Sequence, residues 1–415
     1  MANKKSFLQV LGPGILFAST AIGVSHLVQS TRAGAVYGFA TLVFVLMANI
    51  FKYPFFEFGS RYANATGKSI LQGYKNIGKW VLYLYICITI GSMFTVAAAV
   101  TMVCAGLLDH LFQLDIAIEY SSLLLIVVCV AILCWGKFQL LDKLIKIIAI
   151  VLLLSTMLAF VMTLWNGPLP QAESFAAPDL FDNAGLLFLM ALMGWMPSAV
   201  DLSSWNSIWT VEKIKETGYH PTMKESLADF NIGYLISSLL AICFMTLGAY
   251  LMYGTGKVLA NNSSEFAGQL VQLFGFHIGP WSNLIIACAA FSVMFSTTIT
   301  VFDGYARVLS ETTNLLKESS NTKSRKKYYL FLAVVGLGAW ILISVFRSQF
   351  RQLIDIATVI SFVVAPLIAF MNLKAVTNKE VPLHAQPPKW LKVLAIAGLV
   401  FLLSFLLIYG YSRWT

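Results

Sequence analysis

Ser25, His26, Met196, Ser198 and Asp201 bring hydroxyl, imidazole, thioether and carboxylate groups to two short stretches of an otherwise apolar chain. A metal site needs several convergent oxygen, nitrogen or sulfur donors, and His26, Met196 and Asp201 are the side chains here that could ligate a transition metal. Hydroxyls at Ser30, Ser203 and Ser204 and the carbonyls of Ala21, Ile22 and Gly194 lie close by in sequence. Each residue has a plainer reading. His26 is either a ligand or proton-binding group, or a buried histidine hydrogen-bonded to a carbonyl. Met196 is either a ligand or packing. Asp201 costs about 2.5–3.5 kcal/mol at the bilayer centre on an insertion scale, so it must face a cavity or a partner. It stands four residues after Pro197, one helical turn along the same face.

Both stretches interrupt apolar spans. The first runs from Gly12-Pro13-Gly14 through Gly23-Val24-Ser25-His26, and the second from Leu192-Met193-Gly194 through Met196-Pro197-Ser198-Ala199-Val200-Asp201. Gly23, Gly194 and Pro197 are the residues that permit a helix to break. In a membrane a broken helix survives only where its freed backbone groups are buried in protein or line a cavity. Two breaks in corresponding positions of two halves point to a transporter's binding site.

The elements that position these breaks are membrane spans. The chain has 415 residues, 58% hydrophobic and 11% charged, with a mean hydropathy of +0.77; soluble domains carry about 25% charge. Eleven apolar spans are expected near 9–31, 37–58, 80–106, 118–136, 144–166, 183–206, 230–253, 274–308, 328–346, 350–373 and 391–411. The first is read as a retained span rather than a signal peptide, and the eighth as extending into the cytoplasm. With the N-terminus inside, 22 of the 28 Lys and Arg residues fall in cytoplasmic segments. They run from Lys4 and Lys5 through Lys137, Lys213, Lys215 and Lys323 to Lys392. Arg32, Lys257, Arg347, Arg351 and Arg413 fall outside, and Lys52 lies within span 2. The positive-inside rule then puts the N-terminus in the cytoplasm and the C-terminus outside, in a plasma (inner) membrane. The outer loop 167–182 carries Glu173, Asp179 and Asp182 and no base, while the basic loop 311–327 is expected to be mobile and to favour anionic lipid heads.

The net charge of +9 does not imply nucleic acid, because the charges sit in loops between spans. Cys87, Cys104, Cys129, Cys134, Cys243 and Cys288 are read as small buried hydrophobes. No phosphate-binding loop, paired-histidine protease motif or nucleophile elbow is present, so neither an enzyme nor ATP-driven transport by this chain is expected. Inside the spans, Lys52 is expected to snorkel towards the cytoplasm, near Glu57. Asp303–Arg307 and Arg351–Asp355 stand at pairing distance along a helix. Thr297, Thr298 and Thr300 either line the cavity or satisfy backbone carbonyls.

Spans 1–5 and 6–10 each begin with a broken helix, and an odd number of spans inverts the second set. The expectation is one transmembrane domain over 1–415, all-α, with inverted repeats at about 9–166 and 183–373 and an additional helix at 391–411. This is the LeuT-type arrangement. Gly12-Pro13-Gly14, the break, then Ala33-Gly34-Ala35 and Tyr37-Gly38 resemble the first helix of the Nramp (natural resistance-associated macrophage protein) divalent-metal transporters, which carry G-P-G-x-L, D-P-G-N and Q-A-G-A-x-x-G. The stretch Arg61–Gly67 and the turn Trp135-Gly136-Lys137 are similar in placement, and Met196-Pro197 resembles the family's M-P-H-N. The resemblance implies secondary-active transport of a divalent metal ion by alternating access, with proton coupling, no cofactor, and a monomer in the lipid bilayer.

The departures fall on the metal site. The family's aspartate aligns with Gly23 and its asparagine with His26; its M-P-H-N becomes Met196-Pro197-Ser198-Ala199. Span 3 has no carboxylate between Tyr85 and Leu108, where the family carries an acid, and Lys326 and Lys327 stand near the family's arginines. One reading is therefore a metal transporter rewired through His26, Met196 and Asp201. A second is a carrier of a small polar or organic solute, in a cavity that Gly23 and Ala199 make larger and less anionic, with hydroxyls at Ser25, Ser198 and Ser203. A third is a relative that binds without transporting.

Overall fold

The computed structural model describes residues 12–114, 116–135, 138–317 and 324–412, and all regular elements among them are helices. Lys4, Lys5, Gly136, Lys137, Lys323 and Arg413, used above for topology and motif, lie outside the described residues.

Helix α1 (Pro13–Ala21) starts on a proline, whose missing N–H is harmless in a first turn. The N–H groups of Gly12 and Gly14 donate to the Asp229 carboxylate at 3.3 and 2.7 Å. Asp229 belongs to α10 (Met223–Leu251). A Cβ on Gly14 would stand 2.0 Å from the Asp229 carbonyl oxygen. The Gly-Pro-Gly motif thus starts a helix and lets α10 touch its end. Beyond a break at Ile22–Gly23 the chain resumes in a wide π-type turn (Ser25–Ser30) and α2 (Thr31–Tyr37). There Ala33-Gly34-Ala35 packs on α10, as small residues let membrane helices approach closely. A Cβ on Gly34 would lie 1.9 Å from the Met245 carbonyl oxygen.

Helices α3 (Leu42–Thr66), α4 (Ile70–Ile77), α5 (Lys79–Phe112), α6 (Ile118–Trp135) and α7 (Phe138–Asn166) complete the first half. The second half opens with α8 (Asn183–Gly194), breaks, and continues as α9 (Leu202–Thr217). Asp182 caps α8 by accepting from the Gly185 N–H at 2.6 Å. After α10 come α11 (Ser263–Gly275), α12 (Asn283–Lys317), α13 (Ser324–Val345), α14 (Phe350–Val376) and α15 (Lys389–Ser412). Among the described residues, eight helices are long and apolar enough to cross a membrane. Helix α8 is apolar but shorter.

Several expectations need correction. The eighth span begins at Asn283, not near 274, because Gly275 ends a separate amphipathic helix, α11. Helix α9 runs to Thr217, so Lys213 and Lys215 stand on a helix rather than in a loop. The stretch expected as a loop from 311 is helical to Lys317. Cys87, Cys134 and Cys288 are exposed, whereas Cys104, Cys129 and Cys243 are buried; on an apolar helix an outward thiol meets lipid at little cost. Asp303 and Arg307 pair as expected, at 2.6 Å. Asp355 does not pair with Arg351 but with Arg32, at 2.7 Å, while Arg351 donates to Asn261. Glu57 pairs with Arg61, one turn away, and not with Lys52.

Candidate functional site

The first break leaves main-chain groups without helical partners, and neighbouring hydroxyls take them up. The Ser25 hydroxyl donates to the Ala21 carbonyl at 2.7 Å. The Thr297 hydroxyl of α12 lies 3.0 Å from the Ser19 carbonyl and 3.4 Å from that of Ile22. Gly23 is required here for space: a Cβ would stand 2.9 Å from Thr297 Cγ2.

The second break is held differently. Lys52, from the middle of α3, is fully buried. Its ammonium donates to the carbonyls of Met193 (2.9 Å), Gly194 (3.1 Å), Met196 (2.9 Å) and Ser198 (2.7 Å). The snorkelling expectation is thereby overturned: the break's carbonyls solvate the ammonium better than a stretched route to the interface could. Gly194 is packed against α14, where a Cβ would stand 2.0 Å from the Thr358 carbonyl oxygen. Asp201 is the N-cap residue of α9. The turn before it is not helical, so Asp201 and Pro197 are not stacked on one helix face.

A cavity of about 40 Å³ lies between the two breaks. Ser25, Ser198, Asp201 and Thr297 give it polar lining, and Trp195, Trp205 and Tyr305 give it aromatic walls. Tyr305 donates to the Asp201 carboxylate at 3.4 Å. Val96 and Val100 of α5 close a further side, matching the absence of an acid in span 3.

The sequence-derived site residues divide. Ser25, Ser198 and Asp201 meet at this cavity, and Gly23 lies at the break beside it. His26 and Met196 are fully buried and do not line it. The His26 ring meets Ser25 Oγ through Nδ1 at 2.7 Å and the Ser237 carbonyl through Nε2 at 2.8 Å. Both nitrogens are therefore already engaged by protein groups. Met196 contributes its carbonyl, to Lys52, rather than its sulfur. His26, Met196 and Asp201 are not assembled as a ligand set, and no cluster of three or more His, Cys, Asp or Glu residues is found among the described residues. Thr297 lines the cavity; Thr298 and Thr300 donate to carbonyls of their own helix. Lys52, Tyr305 and the two tryptophans were not anticipated as site residues. The signal for Lys52 was present, since a lysine at mid-span is functional by default.

Comparison with known proteins decides the family. Residues 14–411 match the family described as natural resistance-associated macrophage protein-like.

The chain belongs to the Nramp family.

It is an integral membrane transporter, not an enzyme. An uncharacterized protein of Pasteurella multocida is 35% identical over 407 residues, covering 96% of this chain and 91% of that one. A manganese transporter of Eremococcus coleocola superposes with a TM-score of 0.70 at 13% identity, covering 98% of this chain and 87% of its own. The transporter MhsT in complex with L-phenylalanine superposes at 0.63 with 11% identity, covering 99% and 98%. These likenesses establish the LeuT-type fold for this Nramp chain.

Proposed function

We propose that this Nramp chain is a secondary-active transporter that carries a metal ion by alternating access, through the cavity between its two breaks. The carrying observation is Asp201, a carboxylate that faces this cavity between the two broken helices. Ser25, Ser198 and Thr297 would add hydroxyl oxygens around the ion. The manganese transporter of the same fold and family membership support a metal as cargo. The eleven-span topology, the pairing of 9–166 with 183–373 as inverted repeats, a cytoplasmic N-terminus and an outer C-terminus belong to the same proposal, supported by the placement of basic residues.

One observation favours a second reading, a small polar or zwitterionic organic solute. Lys52 brings a buried positive charge to the carbonyl of Ser198, which lines the cavity together with Asp201, so the site sets a cation beside its carboxylate. An offset charge attracts a dication weakly, and the aromatic walls suit an organic group. Manganese uptake into proteoliposomes separates the two. Saturable uptake by the wild type, reduced at least tenfold in Asp201→Asn, is the expected outcome. No metal uptake by wild-type protein in tight vesicles, with uptake of an organic solute instead, would reverse the order of the readings.

A further inference from the structure

Lys52 is a buried charge that the metal reading leaves unused. Its ammonium has three N–H donors, yet four carbonyl oxygens surround it at 2.7–3.1 Å. Four oxygens around three protons form a cage more than a set of paired bonds. Rings of backbone carbonyls hold a bare monovalent cation in the same manner, by replacing its hydration shell. The Phe56 ring lies 5.8 Å from the ammonium and adds a further surface that favours a cation. All four oxygens come from the six residues Met193–Ser198, where the main chain leaves α8 and has not yet entered α9.

We propose that Lys52 is a tethered monovalent cation. Its ammonium fills a carbonyl cation site built into the second break, and removal of the side chain leaves a site for a free ammonium or potassium ion. The wild-type chain then holds this break together with no monovalent cation drawn from solution. The inference concerns the break and not the cargo, so it stands or falls apart from the metal reading.

The test is chemical rescue without transport. Lys52→Ala empties the cage, while Lys52→Met fills the path of the lysine stem with an uncharged chain. Thermal melting of wild type and both variants is compared in ammonium, potassium and N-methylglucamine chlorides at matched ionic strength. Lys52→Ala should melt lower than wild type and rise by about 2 °C or more in ammonium or potassium, saturably, relative to N-methylglucamine. Wild type and Lys52→Met should show no such preference. A fused fluorescent protein, read by size-exclusion chromatography of solubilised membranes, scores the folded fraction in the same salts if Lys52→Ala is too unstable to purify. The absence of a selective gain in Lys52→Ala, or an equal gain in all three proteins, overturns the proposal.

Discussion

At the residue scale, substitution chemistry depends on what stands behind each position. On the proposed correspondence Gly23 stands where the family carries an aspartate, and restoring the carboxylate is the obvious way to strengthen a metal site. The structure makes that change costly, because a Cβ at Gly23 would sit 2.9 Å from Thr297 Cγ2. Overpacking of this kind costs about 1–3 kcal/mol. Gly23→Asp alone should therefore lower the melting temperature and leave metal affinity little changed. Gly23→Asp with Thr297→Ser, which removes the methyl at 2.9 Å and leaves the hydroxyl at 3.1 Å, should recover part of the stability and bind manganese more tightly than wild type. Calorimetric titration of the three proteins decides it; a double variant with wild-type affinity would show that the carboxylate cannot reach the cavity. The sequence located this position because the break is written locally, in Gly23. It could not show His26 turning away. Neighbouring helical residues diverge by about 100°, so Ser25 and His26 cannot both face one cavity, and only packing against Ser237 chooses between them.

At the scale of elements, a chain of apolar membrane helices was legible because the bilayer imposes it through hydropathy and through backbone hydrogen bonding. The short amphipathic helices α4 and α11 were not, because neither is long or apolar enough to stand out from a loop. How the breaks are held was also hidden: Lys52 and Met193 are 141 positions apart, and no local pattern links them. The contact of α2 with α10 shows what a family motif does physically. Gly34 meets the Met245 carbonyl, and Gly248 of α10 meets that of Thr31, where added Cβ atoms would stand 1.9 and 2.2 Å away. These contacts are with backbone, which cannot move aside as a flexible side chain can. Gly34→Ala should thus cost more than the usual 1–3 kcal/mol of overpacking and be recovered largely unfolded or with a markedly lower melting temperature. Gly91→Ala, whose added Cβ meets nothing within 4 Å, is the control and should melt as wild type does. A Gly34→Ala protein as stable as that control would mean that α2 and α10 separate freely.

At the scale of the whole molecule, alternating access requires ties that can be made on one side and broken. One tie of this kind joins α2 to α14. Arg32 donates to both Asp355 oxygens, at 2.7 and 3.1 Å. Gln29 accepts from Arg32 at 3.0 Å and donates to Asp355 at 3.2 Å, and the guanidinium lies 5.3 Å from the Phe188 ring of α8. One cluster thus fastens α2 to α8 and to α14. Its side chains are 11% and 30% exposed, so water can compete once the helices part, which suits a latch better than a permanent brace. On the proposed topology the latch is external. Ala199 lines the cavity, and Ala199→Cys reports its accessibility to a membrane-impermeant thiol reagent in whole cells, read against the parent protein with its native cysteines. Arg32→Ala should raise labelling of that cysteine severalfold by opening the outer path. Asp355→Ala should do the same, and the double variant should add little, since both singles break one interaction. Labelling unchanged in both singles would show that this ion pair braces the fold without closing the cavity. Additive increases would mean that Arg32 and Asp355 act on access through separate contacts.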